Sequence, residues 1–234
     1  MENVNPLGRR KPTTDEHIRK HPLLLSNAPS KPVPVATGTN WYTNFDTPVQ
    51  DKDGKWWVGR GNLGTIRGGH CVCMPHRIKL DLKAWYAYYN QLKEGACVGM
   101  GCSRMMSLLN RKRYDAFWLW NEAKKIDEWS DTNAGDNNGT SVRAAMDVLR
   151  MQGHVKRTKT RIAKIGEGIE ANKWATNIDD LFSVLQNDTY KKLGAIPFLN
   201  SWGETYPQVV WMPCETWDRL IKEDGEMTLI VDRP

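Results

Sequence analysis

The chain's 234 residues suffice for one large domain or for two lobes around a shared cleft, and 40% apolar content with eleven tryptophans excludes a disordered protein. No run approaches the roughly 20 apolar residues of a membrane span, and Met1 to Arg10 lacks the apolar core of a signal peptide. A soluble protein of a cytoplasm, without membrane contact, is therefore expected, and five cysteines, an odd number, predict thiols rather than a disulfide framework.

Residues 1–31 hold Pro6, Pro12, Pro22 and Pro29 among many charges and predict an extended arm with one short helix around Asp15 to Lys20. Residues 32–234 are expected to form a single domain. Short β-like runs come first, at Val33 to Thr39, Lys55 to Val58 and Gly69 to Met74, separated by Asp53-Gly54 and glycine-rich turns, and predict a small antiparallel sheet. A connector carrying Trp85, Tyr86, Tyr88 and Tyr89 leads to helical spacing over Cys97 to about Asn110 and again over Tyr114 to Ile126. Thr140 or Ser141 can cap a third helix that runs to about Met151 and ends before Gly153, and Asn177 can cap a fourth over Ile178 to Gln186. Strands are expected at Ala195 to Leu199, Val209 to Met212 and Met227 to Val231, with a helix over Glu215 to Lys222. A helical middle between β segments from both ends predicts an α+β protein. Its β lobe would come from 32–74 and 195–234, and its helical lobe from about 91–190.

A cysteine nucleophile needs a base, a group that orients the base, and donors for the developing oxyanion. Gln91-Leu92-Lys93-Glu94-Gly95-Ala96-Cys97 supplies two of these needs. Cys97 opens a helix, whose free N–H groups lower a thiol pKa and donate to an oxyanion, and Gln91 can fold its amide over the same point. Read alone, Cys97 fits a small buried apolar residue equally well.

The run Phe198-Leu199-Asn200-Ser201-Trp202-Gly203 resembles the segment of papain-like cysteine peptidases that carries the asparagine orienting the catalytic histidine. The Gln91 to Cys97 spacing resembles that family's active-site loop, and Gly68-Gly69-His70-Cys71 its histidine strand. Asn138-Gly139-Thr140 is similar to the glycine-bearing edge of its substrate cleft. The resemblance, over roughly residues 32–212, implies a two-lobed papain-like fold with Cys97, His70, Asn200 and Gln91 catalytic and with Gly139 and Trp202 against substrate. It implies a peptide or protein substrate and no cofactor or metal. The order His70, Cys97, Asn200 departs from the family's cysteine, histidine, asparagine. Moving Pro32 to Met74 between Asn187 and Ala195 would restore it, which implies circular permutation. The helix end near Gln186 should then approach Pro32, and Val72 and Cys73 should lie beside Phe198 and Leu199. The compact permuted form with its charged arm is similar to bacteriophage-encoded members, so a host cytoplasm or a virion is a further expected location.

There are departures from the pattern: Leu92 stands where the family usually has glycine, Glu94 where it often has a disulfide cysteine, and Val98 where it often has tryptophan. His154 rivals His70, lying after Cys97 as the family order has it, but Val155 to Arg161 is basic and not strand-like. His70, Cys71, Cys73 and His76 lack the paired spacing of a zinc site, His17 and His21 read as a solvated arm, and Asp131 to Thr140 reads as a polar loop rather than a calcium loop. The formal charge of +6, densest at Arg111 to Arg113 and Lys156 to Lys164, is not interleaved with aromatics and predicts solvated surface rather than a nucleic-acid partner. Two functions remain open. One is a peptidase acting on peptide or isopeptide bonds, favoured because all four functional residue types are retained. The other is an inactive papain-like scaffold used for binding or as a virion structural protein.

Overall fold

The structure is a computed structural model and describes residues 29–77, 88–128, 139–158 and 162–232. The helix expected at Asp15 to Lys20, the pair His17 and His21, and most of both the Pro75 to Asn90 connector and the Asp131 to Thr140 loop lie outside the described residues.

The chain opens with β1 (Val35–Tyr42), β2 (Val49–Gln50), β3 (Trp56–Trp57) and β4 (Ile66–Met74). Helices α1 (Cys97–Asn110), α2 (Ala116–Ile126) and α3 (Val142–Met151) follow. Next come β5 (Val155–Arg157), β6 (Ile162–Ile165), β7 (Ala171–Trp174), α4 (Ile178–Leu185) and α5 (Asp188–Leu193), and last β8 (Ala195–Leu199), β9 (Val209–Pro213), α6 (Cys214–Lys222) and β10 (Glu226–Asp232). The caps are largely those the sequence offers. Ser141 Oγ accepts from Ala144 N at 3.1 Å, Asn177 Oδ1 accepts from Asp180 N at 2.9 Å, and Asp115 Oδ1, not anticipated, accepts from Trp118 N at 3.1 Å.

An eight-stranded sheet in the order β2-β3-β9-β8-β4-β1-β10-β7 is antiparallel throughout except for the β3–β9 pair; it takes in the strands expected from both ends of the chain and adds β2 and β7. Alternation along its strands sends side chains to two separate cores. On one face Val35, Val72, Met74, Phe198 and Leu229 pack with Leu181 and Val184 of α4 and Trp217 and Leu220 of α6. On the other, Ala36, Cys71, Cys73, Leu199 and Ile230 pack with Met105 of α1, Leu119 of α2 and Met146 of α3.

The middle of the chain is not all helical. Lys156 and Arg157 make poor strand formers, yet β5 pairs with β6 and is held by Asp115 N to Val155 O at 2.9 Å and Arg157 N to Arg113 O at 2.8 Å. The reading of Val155 to Arg161 as not strand-like is thus corrected for 155–157. Ala171–Trp174 carries no alternation either. It becomes the sheet's edge by pairing with β10, with Asn172 Nδ2 donating to Thr228 Oγ1 at 3.0 Å. The six-residue α5 also went unseen, being too short to show a period and defined by Asn187 and by Gly194 at φ 59°.

Long-range contacts expected from the motif order are present. Val33 N donates to Val184 O at 3.2 Å and Gln186 Nε2 to Pro29 O at 2.6 Å, so the end of α4 meets the start of β1. Tyr190 Oη donates to Pro75 O at 2.9 Å and Asn187 Nδ2 to His76 O at 3.2 Å, bringing the end of β4 to the same segment. β4 pairs antiparallel with β8, Cys73 opposite Leu199.

α1 is buried from Cys97 to Leu108, and glycines let it sit this deep. A Cβ on Gly99 would strike the Ala116 carbonyl of the turn into α2, and one on Gly101 would stand 2.6 Å from Cys71 Sγ and 3.3 Å from Val72 O of β4. Gly101→Ala is therefore expected to destabilise the protein by about 1–3 kcal/mol in urea titration, as overpacking does, despite alanine's better helix propensity. A gain in stability would show that the helix has room to move.

Candidate active site

Cys97 is the first residue of α1, after Ala96, and its thiol faces the backbone N–H groups of Cys71, Val98 and Cys97 itself. Cys71 directly follows His70 on β4, so the close helix–strand contact brings Cys97 beside the histidine's strand. His70 Nε2 lies 2.8 Å from Asn200 Oδ1, on the loop that leaves β8. The same oxygen accepts from Ser201 N at 2.7 Å, which fixes it as the amide oxygen. His70 must then donate through Nε2, leaving Nδ1 as its basic atom. Indole rings shield this bond: Trp202 lies 4.8 Å and Trp41 4.6 Å from the imidazole, centroid to centroid.

Gln91 is held against the Asn200 loop. Its N–H donates to Ser201 O at 2.8 Å, its Oε1 accepts from Ser201 Oγ at 2.8 Å, and its Nε2 donates to Glu94 O at 2.9 Å. An amide nitrogen carries two hydrogens, so one bond to Glu94 leaves a second donor. Leu92, exposed, has φ 57°, the left-handed conformation glycine adopts freely. The backbone there has the geometry of a glycine although the residue is leucine.

Electrostatically the site differs from expectation. The helix start was expected to lower the Cys97 pKa; instead burial, with Cys71 beside it, pushes the thiol up to about 12. The three N–H groups favour the thiolate but do not offset the loss of water. Burial likewise pushes His70 down to about 4, against the opposing bond to Asn200. Thiol and imidazole are both neutral at pH 7.

Of the other candidates, Trp202 packs against the His70 ring, and Gly139 sits exposed before α3 with nothing within 4 Å of a Cβ. His154 is a core residue: fully buried, it bonds Ser103 Oγ through Nε2 at 2.8 Å and stacks on Tyr114 at 4.8 Å. Cys71 and Cys73 face the helical core while His70 faces Trp41 and Trp202, as strand alternation predicts. Among the described residues no group of three His, Cys, Asp or Glu side chains could hold a metal ion, and no helix is long and apolar enough to cross a membrane.

Sequence reasoning missed Arg104, Ser201 and Trp41. Arg104 lies seven residues after Cys97, on the same face of a helix whose other residues there are small or apolar. A charge in that stripe was the available signal. No family model matches the chain, nor does any curated protein or solved structure.

The buried histidines set a pH dependence. Burial holds His70 and His76 near 4 and His154 near 3, below the ordinary 6.5, so between these limits the unfolded chain binds protons that the native chain does not. Stability should therefore fall as pH drops from 6.5 to 5, each histidine contributing up to about 1.4 kcal/mol per pH unit. Urea titrations across that window check this, and His154→Gln should flatten the slope by one histidine's share. An unchanged slope would mean that His154 protonates in the folded state.

Proposed function

We propose that the protein is a papain-like cysteine peptidase of permuted chain order that cleaves peptide or isopeptide bonds through Cys97. The observation that carries this reading is the His70–Asn200 bond, shielded by Trp202 and set on the strand against which the Cys97 helix start packs. The contacts of Val33 with Val184 and of Tyr190 with Pro75 support the permuted order, since they bring both ends of the displaced block to one place.

In this reading the Cys97 sulfur attacks the substrate carbonyl as His70 Nδ1 takes the thiol proton. The two groups start neutral, so proton transfer accompanies attack, and the imidazolium that forms is stabilised by Asn200 Oδ1. The Cys97 N–H and the second Nε2 hydrogen of Gln91 donate to the oxyanion. His70 then protonates the leaving amine, the carbonyl–nitrogen bond breaks, and water activated by the same imidazole hydrolyses the thioester. Arg67, paired with Asp46 at 2.7 Å, and Trp202 flank the histidine where part of a substrate would lie.

A second reading, a scaffold without activity, is favoured by the thiol's rise to about 12, which leaves no resting thiolate. Labelling with an epoxide thiol probe, followed by peptide mapping, separates the two. The peptidase reading expects modification at Cys97 and not at Cys71, Cys73, Cys102 or Cys214. Cys97→Ser and His70→Ala should each lower turnover at least about a thousandfold with folding retained, and Gln91→Ala about a hundredfold. His154→Gln should leave turnover intact. If His154→Gln were inactive and His70→Ala active, the assignment would be reversed.

A further inference from the structure

The nucleophile's helix makes a second connection to the site, two turns from Cys97. Arg104 is almost fully buried, and burial lowers its pKa only to about 10, so the guanidinium stays charged at neutral pH. Its Nη1 donates to Asn200 O at 2.9 Å and its Nη2 to Tyr89 O at 3.3 Å. The first carbonyl belongs to the residue whose side chain holds His70. The second belongs to the segment that delivers Gln91.

These two segments already touch each other. Asn90 bridges to Trp202 and Gln91 N donates to Ser201 O, so the two segments are joined backbone to backbone. Tyr89 is tied to α1 as well, its Oη lying 2.8 Å from Ser107 Oγ, and its ring lies 5.7 Å from the Arg104 guanidinium. What remains to be fixed is the register between that pair and the helix that starts with Cys97. A guanidinium is a rigid planar fork, and directing its two arms at two carbonyls fixes position and angle together, which a lysine ammonium reaching one carbonyl does not.

The geometry points to Arg104 as a positioning residue that locks the Asn200 and Gln91 segments onto the nucleophile's helix, so that His70, held by Asn200, stays aligned with Cys97. This rests on the peptidase reading for its purpose, but its test needs no substrate. A buried cation costs stability, and several apolar side chains would fill the same space, so an arginine here is suited to setting a geometry more than to strengthening the core.

The test is the rate of Cys97 alkylation by iodoacetamide in the full chain, mapped by peptide, from pH 5 to 9. Because the neutral His70 can take the thiol proton as the sulfur attacks, the wild-type rate is expected to stay level from pH 7 down to 5 and there to exceed that of free cysteine, whose thiolate is scarce at those pH values. Arg104→Met should keep its fold by circular dichroism, lose between about 10- and 100-fold of that rate, and shift its pH profile toward that of free cysteine. Arg104→Lys should recover part of the loss. A double-mutant cycle with Asn200→Ala reads the coupling: the double variant should lose no more than the worse single variant. Multiplicative losses, or variants with wild-type profiles, overturn the proposal. Should Arg104→Met fail to fold, Arg104→Lys carries the same cycle. Wild-type Cys97 no more reactive than free cysteine would remove both the peptidase reading and the role of Arg104. A reactive Cys97 that cleaves no fluorescein-labelled casein would count against the peptidase reading alone and leave the Arg104 cycle decisive.

Discussion

The close approach of α1 to β4 is the constraint on which the rest depends. Gly101 has no side chain to hold the helix off Cys71 and Val72, and Gly99 lets the turn into α2 close against the same helix. A helix at that distance puts its first residue beside the backbone of the strand that carries His70. One contact between backbones thus supports one of the two cores and also places the candidate nucleophile. A side chain at Gly101 would push α1 away from β4, and one at Gly99 would push it away from α2.

Burial gives the site its order and also its electrostatic character. His70, Asn200, Gln91 and Arg104 are each almost fully withdrawn from water, and each is held by specific polar partners. The same withdrawal keeps the thiol protonated and the imidazole neutral, since no bulk water remains to solvate either ion. A site so dry makes each preorganised donor count for more when charge does develop.

The sheet joins segments that are far apart in the chain. β4 lies between β1 and β8, which come from opposite ends of the described residues, and β10 closes beside β1. Loop-closure costs rise only slowly with separation, so pairings across more than a hundred residues are affordable once the cores on both faces bury their apolar side chains. The bonds among Val33, Val184, Tyr190 and Pro75 show where the ends of the 32–74 block settle.

Much of this was legible in the sequence, and what was legible was local. The helix from Cys97 to Asn110, the Ser141 and Asn177 caps and the strand of His70 follow from spacing and side-chain chemistry within a few residues. The grouping of His70, Asn200 and Gln91 was legible only through motif resemblance, because no local rule links residues 130 apart. Tertiary structure alone decided the strands at Val155–Arg157 and Ala171–Trp174, whose compositions favour neither state until a neighbouring strand supplies hydrogen bonds. It also decided that burial raises the Cys97 thiol and that Arg104 bonds the Asn200 loop. Desolvation and long-range hydrogen bonds depend on what surrounds a residue in space, and the order of residues along the chain does not contain that information.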